Sequence, residues 1–497
     1  MPVGQNIKKT HFTEQEHSLF RQRLIDNLHV FKQLLADPDF GQGAPSFGAE
    51  LELYIIDPAA NPYPINKLLH KQINDSQLSL ELTNVNLEYN FTPIEQQALP
   101  FTQLSKQMFT ALDKLERASA LHQARILPIG ILPTLQSKHL GFDTITDEAR
   151  YQLFAKVLRD KRGEDFHLHI KGAESLALHW QDISPEGANS SFQFHYRVTP
   201  QAFANAYNAA QLITPLLIAI GANSPLFLGK QLWHETRIAL FKQATDYRVK
   251  EAITQHLPSR VLFGLGWVRE SAYEIFAEGV YLFEPILPVC SAHSAKAQFA
   301  VKGRSTLDEL RLHQGSIWTW NRPIYDPVLG GHLRIELRSL PAGPSVKNMV
   351  ANAALASGLI KGLESKISTL LPAIPFYFAE QNFYRAAKYG LQAKLYWPNK
   401  QDGHLVERPV IDILSNLLPT AVEGLHLLGV DEQEITEQMA VISGGLATQM
   451  NGATWQLKRF NHYLIKHARE DALAMMVEDY YQQYKTAKAV HEWSDNL

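Results

Sequence analysis

Residues 46–58 place two carboxylates inside a stretch that otherwise has the pattern of a β-strand. The letters are SFGAELELYIIDP, in which Glu50 and Glu52 alternate with apolar residues. Because residues two apart on a strand point to the same face, the two carboxylates share one face and Leu51 and Leu53 share the other. The chain must therefore fold so that one face of a sheet is acidic. The presence of two carboxylates on that face requires a chemical explanation.

Three further strand-like segments carry polar side chains at the same spacing of two. They are Glu88 with Asn90; Gln193, His195 and Arg197; and Arg334, Glu336 and Arg338. For any one segment alone, the solvated face of an antiparallel sheet is a sufficient explanation. Taken together, several Glu with one His and flanking Arg indicate side chains that converge on one site.

The clustered carboxylates of these strands would repel one another unless cations lay between them. Oxygen-rich ligand sets suit hard divalent ions such as Mg²⁺, and a His among them also allows Mn²⁺. Arginines beside such ions suit bidentate binding of phosphate or carboxylate. The set therefore predicts phosphoryl transfer, in which positioning and charge neutralisation supply most of the catalysis.

Motifs of other site types are missing or weak. No G-x-x-x-x-G-K-[ST] loop occurs, and LFGLGW at 262–267 holds only the first part of a G-x-G-x-x-G fingerprint. His167 and His169 form either a metal pair or one face of a strand, and the strand is the favoured interpretation. Trp318 and Trp320 either stack a base or fill a core, and core packing is favoured.

Strands scattered between helices without regular βαβ alternation predict an α+β protein with an antiparallel sheet. Helices are expected at about 14–35, at about 100–121 and after Gly343. The segments DFHLHIKG and SLALHW are expected to form a hairpin. Length alone would suggest more than one domain. No boundary would let either half stand alone, so we expect one catalytic domain over 1–497. Its sheet-bearing core should span about 45–345 and its mainly helical part about 345–497.

Charge and composition limit the partners and the compartment. The net charge of -3 gives no electrostatic case for nucleic acid or a membrane. A single cysteine, Cys290, excludes an internal disulfide, and with an N-terminus that lacks a signal-peptide core it favours a cytoplasmic protein. The uncharged segment 198–229 is predicted to be a buried helix ending near Gly221, because Pro215 and then ANSP interrupt the apolar run.

Seven stretches of the chain occur in a characteristic order. They are FGAELELYIID, NLEYNFTPIE, ILPIGILPT, EGANSSFQFHYRV, ANSPLFLGK, HLRIELRSLPAGPS and NFYRAAKYGLQA. Together they resemble the glutamate–cysteine ligase type 2 family, the carboxylate–amine ligases with a glutamine-synthetase-like fold. The resemblance implies a curved, mainly antiparallel sheet flanked by helices, with a helical C-terminal part.

The resemblance also implies roles for individual residues. Divalent ions around the phosphates of ATP would be held by Glu50, Glu52, Glu88, His195 and Glu336. Arg338 would face the transferred phosphoryl group, and Glu336 beside it would also be catalytic. Nucleotide binding is expected of Arg322, Gln193 and Arg385, and substrate binding of Asn90 and Arg334.

The implied reaction is ATP- and Mg²⁺-dependent amide formation through an acyl phosphate, with Mn²⁺ as an alternative ion. The default substrates are glutamate and cysteine, which would place the enzyme in glutathione biosynthesis. Two alternatives stay open: a ligase of the same fold that joins another amino acid or amine, and a non-catalytic nucleotide-binding or regulatory protein. The partners are expected to be small molecules, and a homo-oligomer is left open.

Overall fold

The structure is a computed structural model that describes residues 9, 12–399 and 401–494. The strands in these ranges are β1 Ser46–Ile56, β2 Leu78–Leu80, β3 Asn86–Asn90, β4 Ile94–Glu95, β5 Arg125–Leu127, β6 Phe166–Lys171, β7 Ser175–Trp180, β8 Phe192–Val198, β9 Leu226–Phe227, β10 Lys230–Gln231, β11 Val261–Leu262, β12 Trp318–Thr319, β13 Asn321–Asp326, β14 His332–Leu337, β15 Lys394–Pro398 and β16 Leu405–Pro409.

The α-helices surround these strands and dominate the last third of the chain. They are α1 Glu14–Ala36, α2 Asn66–Ile73, α3 Pro100–Ala120, α4 Ala149–Arg162, α5 Phe203–Gly221, α6 Thr236–Ala244, α7 Lys250–Thr254, α8 Ala272–Leu282, α9 Ala295–Lys302, α10 Asp308–Gln314, α11 Val346–Glu364, α12 Ile367–Leu370, α13 Phe376–Tyr389, α14 Val410–Leu427, α15 Glu432–Thr448, α16 Gly452–Leu464 and α17 Arg469–Lys485.

The main sheet is antiparallel and has the strand order β13-β14-β8-β1-β3-β2, with β4 and β5 also paired to β1. It curls into a half-barrel with helices against it. Strand β1 lies in the middle and is hydrogen-bonded on both edges, so its side chains have neighbours on both sides. The predicted α+β architecture with a curved antiparallel sheet is confirmed.

The two faces of the main sheet differ in chemistry, as the alternation in 46–58 predicts. On the apolar face Leu51, Leu53, Phe194 and Ile335 are fully buried. These residues belong to a hydrophobic core that also contains the buried sides of helices such as α5 and α11. The polar side chains therefore lie on the opposite face of the sheet, which lines the cleft described below.

Helix α5 is the uncharged segment that was predicted to be a core helix ending near Gly221. Its length and composition alone would allow it to cross a membrane. However, 94% of its most apolar 18-residue segment is buried inside the protein. All of its residues except Asn205 are buried. The predicted buried helix is therefore observed.

Helix starts follow the capping chemistry in the sequence. At α1 the Glu16 backbone amide donates to the Thr13 hydroxyl at 3.3 Å, and the Thr13 amide donates to the Glu16 carboxylate at 2.9 Å. At α11 the Ser345 hydroxyl accepts from the Asn348 amide at 3.3 Å. Such caps satisfy backbone donors that the first turn leaves free, so the sequence located these helices correctly.

The predicted hairpin is present as β6 and β7, which form a two-stranded sheet of their own. Its inner face carries the buried residues Phe166, Leu168 and Ile170. Of the two tryptophans that were expected in the core, Trp320 is only 2% exposed. Trp318 is half-buried instead and reaches the cleft described below.

Candidate active site

An open cleft of about 720 Å³ lies over the polar face of the main sheet. Its size falls in the range of small-molecule sites. The predicted site residues that line it are Glu50, Glu52, Glu88, Asn90, Gln193, His195, Arg322, Arg334, Glu336 and Arg338. Ten residues from five segments of the sequence are thus brought to one place, and only Arg385 of the predicted set does not line the cleft.

The strand register explains how distant segments meet at this cleft. Each polar residue on β1 or β14 lies directly opposite another on a neighbouring strand. The opposed pairs are Glu50 with Asn90, Glu50 with Gln193, Glu52 with Glu88, Glu336 with His195, and Arg322 with Glu336. Because opposed side chains on one face lie within about 5.5 Å at their Cβ atoms, the register alone builds a continuous polar surface.

One end of the cleft is acidic. Carboxylate oxygens of Glu52, Glu81 and Glu88 lie within 4.8 Å of one another. Glu52 accepts hydrogen bonds from the Ser191 backbone amide at 2.6 Å and from Gln193 Nε2 at 2.9 Å. These bonds hold the Glu52 carboxylate in place from the β8 side.

Glu88 is fixed from the opposite side of the acidic end. It accepts hydrogen bonds from Ser79 Oγ at 3.1 Å and from Asn90 Nδ2 at 2.9 Å. Asn90, predicted to bind substrate, therefore has its amide nitrogen turned to the acidic group. The acidic carboxylates are positioned by neighbours and are not free to separate.

Burial and mutual repulsion make these acids unusually weak. Burial, followed by the charges of Glu50 and Glu52, raises the pKa of Glu88 to about 8. Burial, followed by the charge of Glu52, raises the pKa of Glu186 to about 8 as well. Burial and the charges of neighbouring carboxylates also hold the pKa of Glu81 well above its usual value. Carboxyl groups with raised pKa values can release their protons when a cation binds in their place.

The other end of the cleft is built around Glu336, whose side chain has no exposed surface. Arg322 donates to Glu336 Oε2 from Nε at 3.1 Å and from Nη2 at 2.7 Å. Arg338 donates to Glu336 Oε1 and, at 2.7 Å, to Gln193 Oε1. Burial opposes ionisation, but the two guanidinium groups outweigh it and hold the pKa of Glu336 well below its usual value.

His195 lies between the two ends. Its side chain is 5% exposed, and Nε2 is 3.0 Å from Glu50 Oε1. Burial raises the pKa of Glu50, but the neighbouring imidazole outweighs it and the net shift is downward. Within the described residues neither ring nitrogen makes a well-aligned hydrogen bond. A buried imidazole without such a partner is a suitable metal ligand.

The residues present fit a divalent cation. Carboxylate oxygens of Glu52, Glu81 and Glu88 are the donors that Mg²⁺ and Mn²⁺ prefer, and the His195 imidazole and Glu50 lie nearby. Glu336 fits less well as a ligand, because both of its oxygens already accept hydrogen bonds from arginines. This geometry favours Glu336 as the group that orients Arg322 and Arg338.

The sequence reasoning missed three acids of the cleft: Glu81, Glu186, and Asp326 at the end of β13. Glu81 follows the short strand β2 and continues its alternation with Ser79, so the spacing of two could have identified it. Glu186 lies in a 3₁₀ turn at Ser184–Ala188, where no periodicity marks the side chain. Only the three-dimensional structure brings Glu186 to the acidic end.

The two remaining predicted arginines have different surroundings. Arg334 lines the cleft and lies 3.4 Å from Asp326. Arg385 on α13 lies 2.7 Å from Glu407 and donates to the Tyr396 hydroxyl at 3.1 Å, both on the β15–β16 hairpin. Arg385 therefore lies outside the cleft lining, and its guanidinium contacts this hairpin.

An aromatic wall defined by Phe154, Phe241 and Trp318 closes one side of the cleft. The Trp318 ring lies 5.4 Å from the Phe154 ring and 6.0 Å from the Phe241 ring, measured between centroids. A wall of this kind offers an apolar aromatic surface to a ligand. The cleft therefore combines an acidic end, an arginine end and an apolar side.

The raised pKa values predict that the metal-free protein loses stability as the pH rises towards 8. Folded Glu88 keeps a proton up to about pH 8, whereas the unfolded chain releases it near the ordinary glutamate pKa of 4.5. The stabilising contribution is complete below the unfolded pKa and is lost as the pH rises through about 8, at up to about 1.4 kcal/mol per pH unit for one proton. Calorimetric Tm values measured without metal should fall across this range, and Mg²⁺ should raise the Tm most at the alkaline end.

The matched variants for this measurement are Glu88→Gln and Glu186→Gln. Each removes one group with a raised pKa, so each should make the decline of Tm with pH shallower than in the unmodified chain. An equally steep decline in both variants would show that other groups control the alkaline stability.

The sequence model of the glutamate-cysteine ligase family 2 matches residues 46–281. This segment contains β1, β3 and β8, whereas Glu336 and Arg338 lie beyond it. A protein of Frankia casuarinae, provisionally named glutamate–cysteine ligase 2-1, is 29% identical over 113 residues, which are 22% of this chain and 28% of that protein. The predicted resemblance to the family is confirmed.

Solved structures give more distant likenesses. A glutamate–cysteine ligase from Francisella tularensis, in complex with AMP, is 12% identical with a TM-score of 0.47, and 90% of each chain is covered. A bifunctional glutathione synthetase from Pasteurella multocida is 10% identical with a TM-score of 0.48, covering 94% of this chain and 55% of that one. The ligase PafA in complex with the ubiquitin-like protein Pup has a TM-score of 0.37 at 10% identity, with 87% of this chain and 72% of that chain covered.

Proposed function

Because residues 46–281 of this chain match the sequence model of the glutamate-cysteine ligase family 2, we propose that the protein is an ATP-dependent carboxylate–amine ligase. In this reaction the γ-carboxylate of glutamate attacks the γ-phosphate of ATP and gives an acyl phosphate and ADP. An amine then attacks the acyl carbon, phosphate leaves, and an amide bond forms. The proposed amine is cysteine, and the product is γ-glutamylcysteine. The observation that carries the proposal is the meeting of an acidic end and an arginine end in one cleft.

The acidic end is proposed to hold Mg²⁺, with Mn²⁺ as the alternative. Glu52, Glu81 and Glu88 would be the main ligands, and Glu50 and His195 would complete the set. When bound, the ions would neutralise the phosphates of ATP. The hydrogen bonds from Ser191 and Gln193 to Glu52 keep this carboxylate oriented towards the cleft before any cation arrives.

The arginine end is proposed to hold the transferred phosphoryl group. Arg338 lines the cleft and is oriented by the Glu336 carboxylate and the Gln193 amide. A fixed guanidinium with donors left over can stabilise the charge on the equatorial oxygens without reorganising during the reaction. Arg322, held on the other oxygen of Glu336, would bind the same phosphates from the side.

The remaining surfaces are proposed to bind the two small-molecule substrates. Arg334 would receive a substrate carboxylate, because its Nε is buried without a hydrogen bond among the described residues. The Trp318 side of the cleft could receive either the base of ATP or an apolar substrate portion. We further propose that the protein is a cytoplasmic enzyme of glutathione biosynthesis.

The proposal is tested by ADP release from the purified chain with ATP, Mg²⁺ and glutamate, with and without cysteine. We expect turnover that requires both amino acids and a mass spectrum that contains γ-glutamylcysteine. A panel of other amino acids and amines follows if cysteine is inactive, since turnover with another pair would retain the ligase and replace the substrate. ATP and Mg²⁺ binding without turnover across the panel would favour the binding-protein alternative.

A further inference from the structure

The hairpin of β6 and β7 carries three histidines on its outer face. His167 and His169 are two residues apart on β6, and His179 lies directly opposite His167 on β7. All three are exposed, while Leu168 and Ile170 between them are buried in the core. Because alternate residues point to opposite faces, the three imidazoles share the solvent side of a hairpin whose other side is anchored.

Two imidazoles of this group, those of His167 and His179, are already close to each other. The His167 and His179 rings have centroids 4.4 Å apart and are inclined by 50°. The residue opposite His169 is Ala177, whose small side chain leaves the space above it open towards His179. Among the described residues no hydrogen bond occupies a ring nitrogen of His167, His169 or His179, so these nitrogens are available to a ligand.

Three imidazoles on one face of a strand pair offer a chelating set of nitrogen donors for borderline transition-metal ions. Imidazole nitrogen binds Zn²⁺ at about 2.0–2.1 Å, and Ni²⁺ and Cu²⁺ also prefer it over the oxygen donors that hold Mg²⁺. His167 and His179 need only side-chain rotation to direct one nitrogen each at a common point. The hydrogen-bonded ladder between β6 and β7 forms without any metal. Metal binding therefore has to order only the side chains, which keeps its entropic cost low.

We propose that His167, His179 and His169 form a binding site for a borderline divalent transition-metal ion, represented by Zn²⁺. The opposed pair His167 and His179 supplies the two principal ligands, and His169 supplies the third from the same strand. The site is separate from the acidic end of the cleft in position and in chemistry, because it offers nitrogen donors where the cleft offers mainly carboxylates. It does not depend on the proposed ligase activity.

The test is a Zn²⁺ titration of the full chain without an affinity tag, followed by calorimetry in the presence of saturating Mg²⁺ to occupy the cleft. We expect one equivalent of Zn²⁺ to bind, and we expect His167→Ala and His179→Ala each to weaken that binding at least about tenfold. His169→Ala should weaken it less. The matched control is His256→Ala, which removes an exposed histidine outside the hairpin.

Co²⁺ absorption and light scattering complete the design. Co²⁺ in a nitrogen-rich site of low coordination number gives visible bands, which should appear with the unmodified chain and vanish in His179→Ala. Equal Zn²⁺ affinity in the unmodified chain, His167→Ala and His179→Ala would overturn the site. A doubling of the particle mass at one Zn²⁺ per two chains would also overturn it, because the ion would then bridge two molecules.

Discussion

Replacing Arg338 by Lys is expected to lower kcat for ADP release by about 10²–10³-fold, the usual loss when one fixed donor to a transition state is removed. Arg338 is held by two acceptors, the carboxylate of Glu336 and the amide oxygen of Gln193, and still lines the cleft. A lysine would keep the positive charge but lose the planar fork, so it could not bind these acceptors and a phosphoryl group together. ATP binding measured by calorimetry should change much less than kcat.

The control for this variant is Arg197→Lys. Arg197 belongs to β8, like Gln193, but its guanidinium donates to the Gln42 backbone oxygen at 2.8 Å and does not line the cleft. Its replacement should leave kcat within about twofold, since exposed charged contacts contribute little. A kcat for Arg338→Lys equal to that of Arg197→Lys would remove Arg338 from the proposed chemistry.

Replacing Glu336 by Gln is expected to abolish measurable ATP turnover and to lower the free energy of unfolding while the fold is retained. The side chain is fully buried between Arg322 and Arg338, and an amide leaves both guanidinium groups without their counter-ion. Breaking a buried pair by removing one partner costs about 3–5 kcal/mol. Circular dichroism should show native secondary structure with a lower Tm, and the ADP assay should show no product.

Glu434→Gln separates the loss of activity from the loss of stability. Glu434 is 1% exposed and accepts backbone hydrogen bonds at the start of α3, at 2.6 Å from Thr102 and 3.3 Å from Phe101. It lies outside the cleft, so its variant should have a lower Tm and an almost unchanged kcat. Turnover by Glu336→Gln comparable to that of Glu434→Gln would show that Glu336 acts only in folding.

The alternation of polar and apolar residues was enough to identify most of the predicted polar side chains that line the cleft. A spacing of two on a strand fixes the face, so Glu50 with Glu52, and Glu336 with Arg338, were assigned to one side without knowledge of the topology. What the spacing could not supply was the register between strands. That Glu336 opposes His195, and that both of its oxygens meet arginines, follows from pairings between segments far apart in the sequence.

The differences between the predicted and the observed lining of the cleft also have physical reasons. Glu186 was missed because a 3₁₀ turn has no period that would distinguish its carboxylate from any exposed acid. Arg385 does not line the cleft, which the sequence could not show because an Arg on an amphipathic helix face gives no indication of which neighbour that face meets. In the structure it meets Glu407 and Tyr396. Trp318 and Trp320 are two residues apart, yet one lines the cleft and the other is in the core.

The central place of β1 has a consequence for the order in which the chain can assemble during synthesis. Glu50, Glu52, Glu81 and Glu88 emerge early from the ribosome, whereas Arg322, Glu336 and Arg338 arrive on β13, β14 and the residue that follows β14. Until β13 and β14 join the sheet, the acids lack Arg322 and Arg338, whose charges offset part of their repulsion. Long-range pairings of this kind form slowly. A nascent chain that ends before β13 should therefore rely on protons or on cellular Mg²⁺ to hold its acidic strands together.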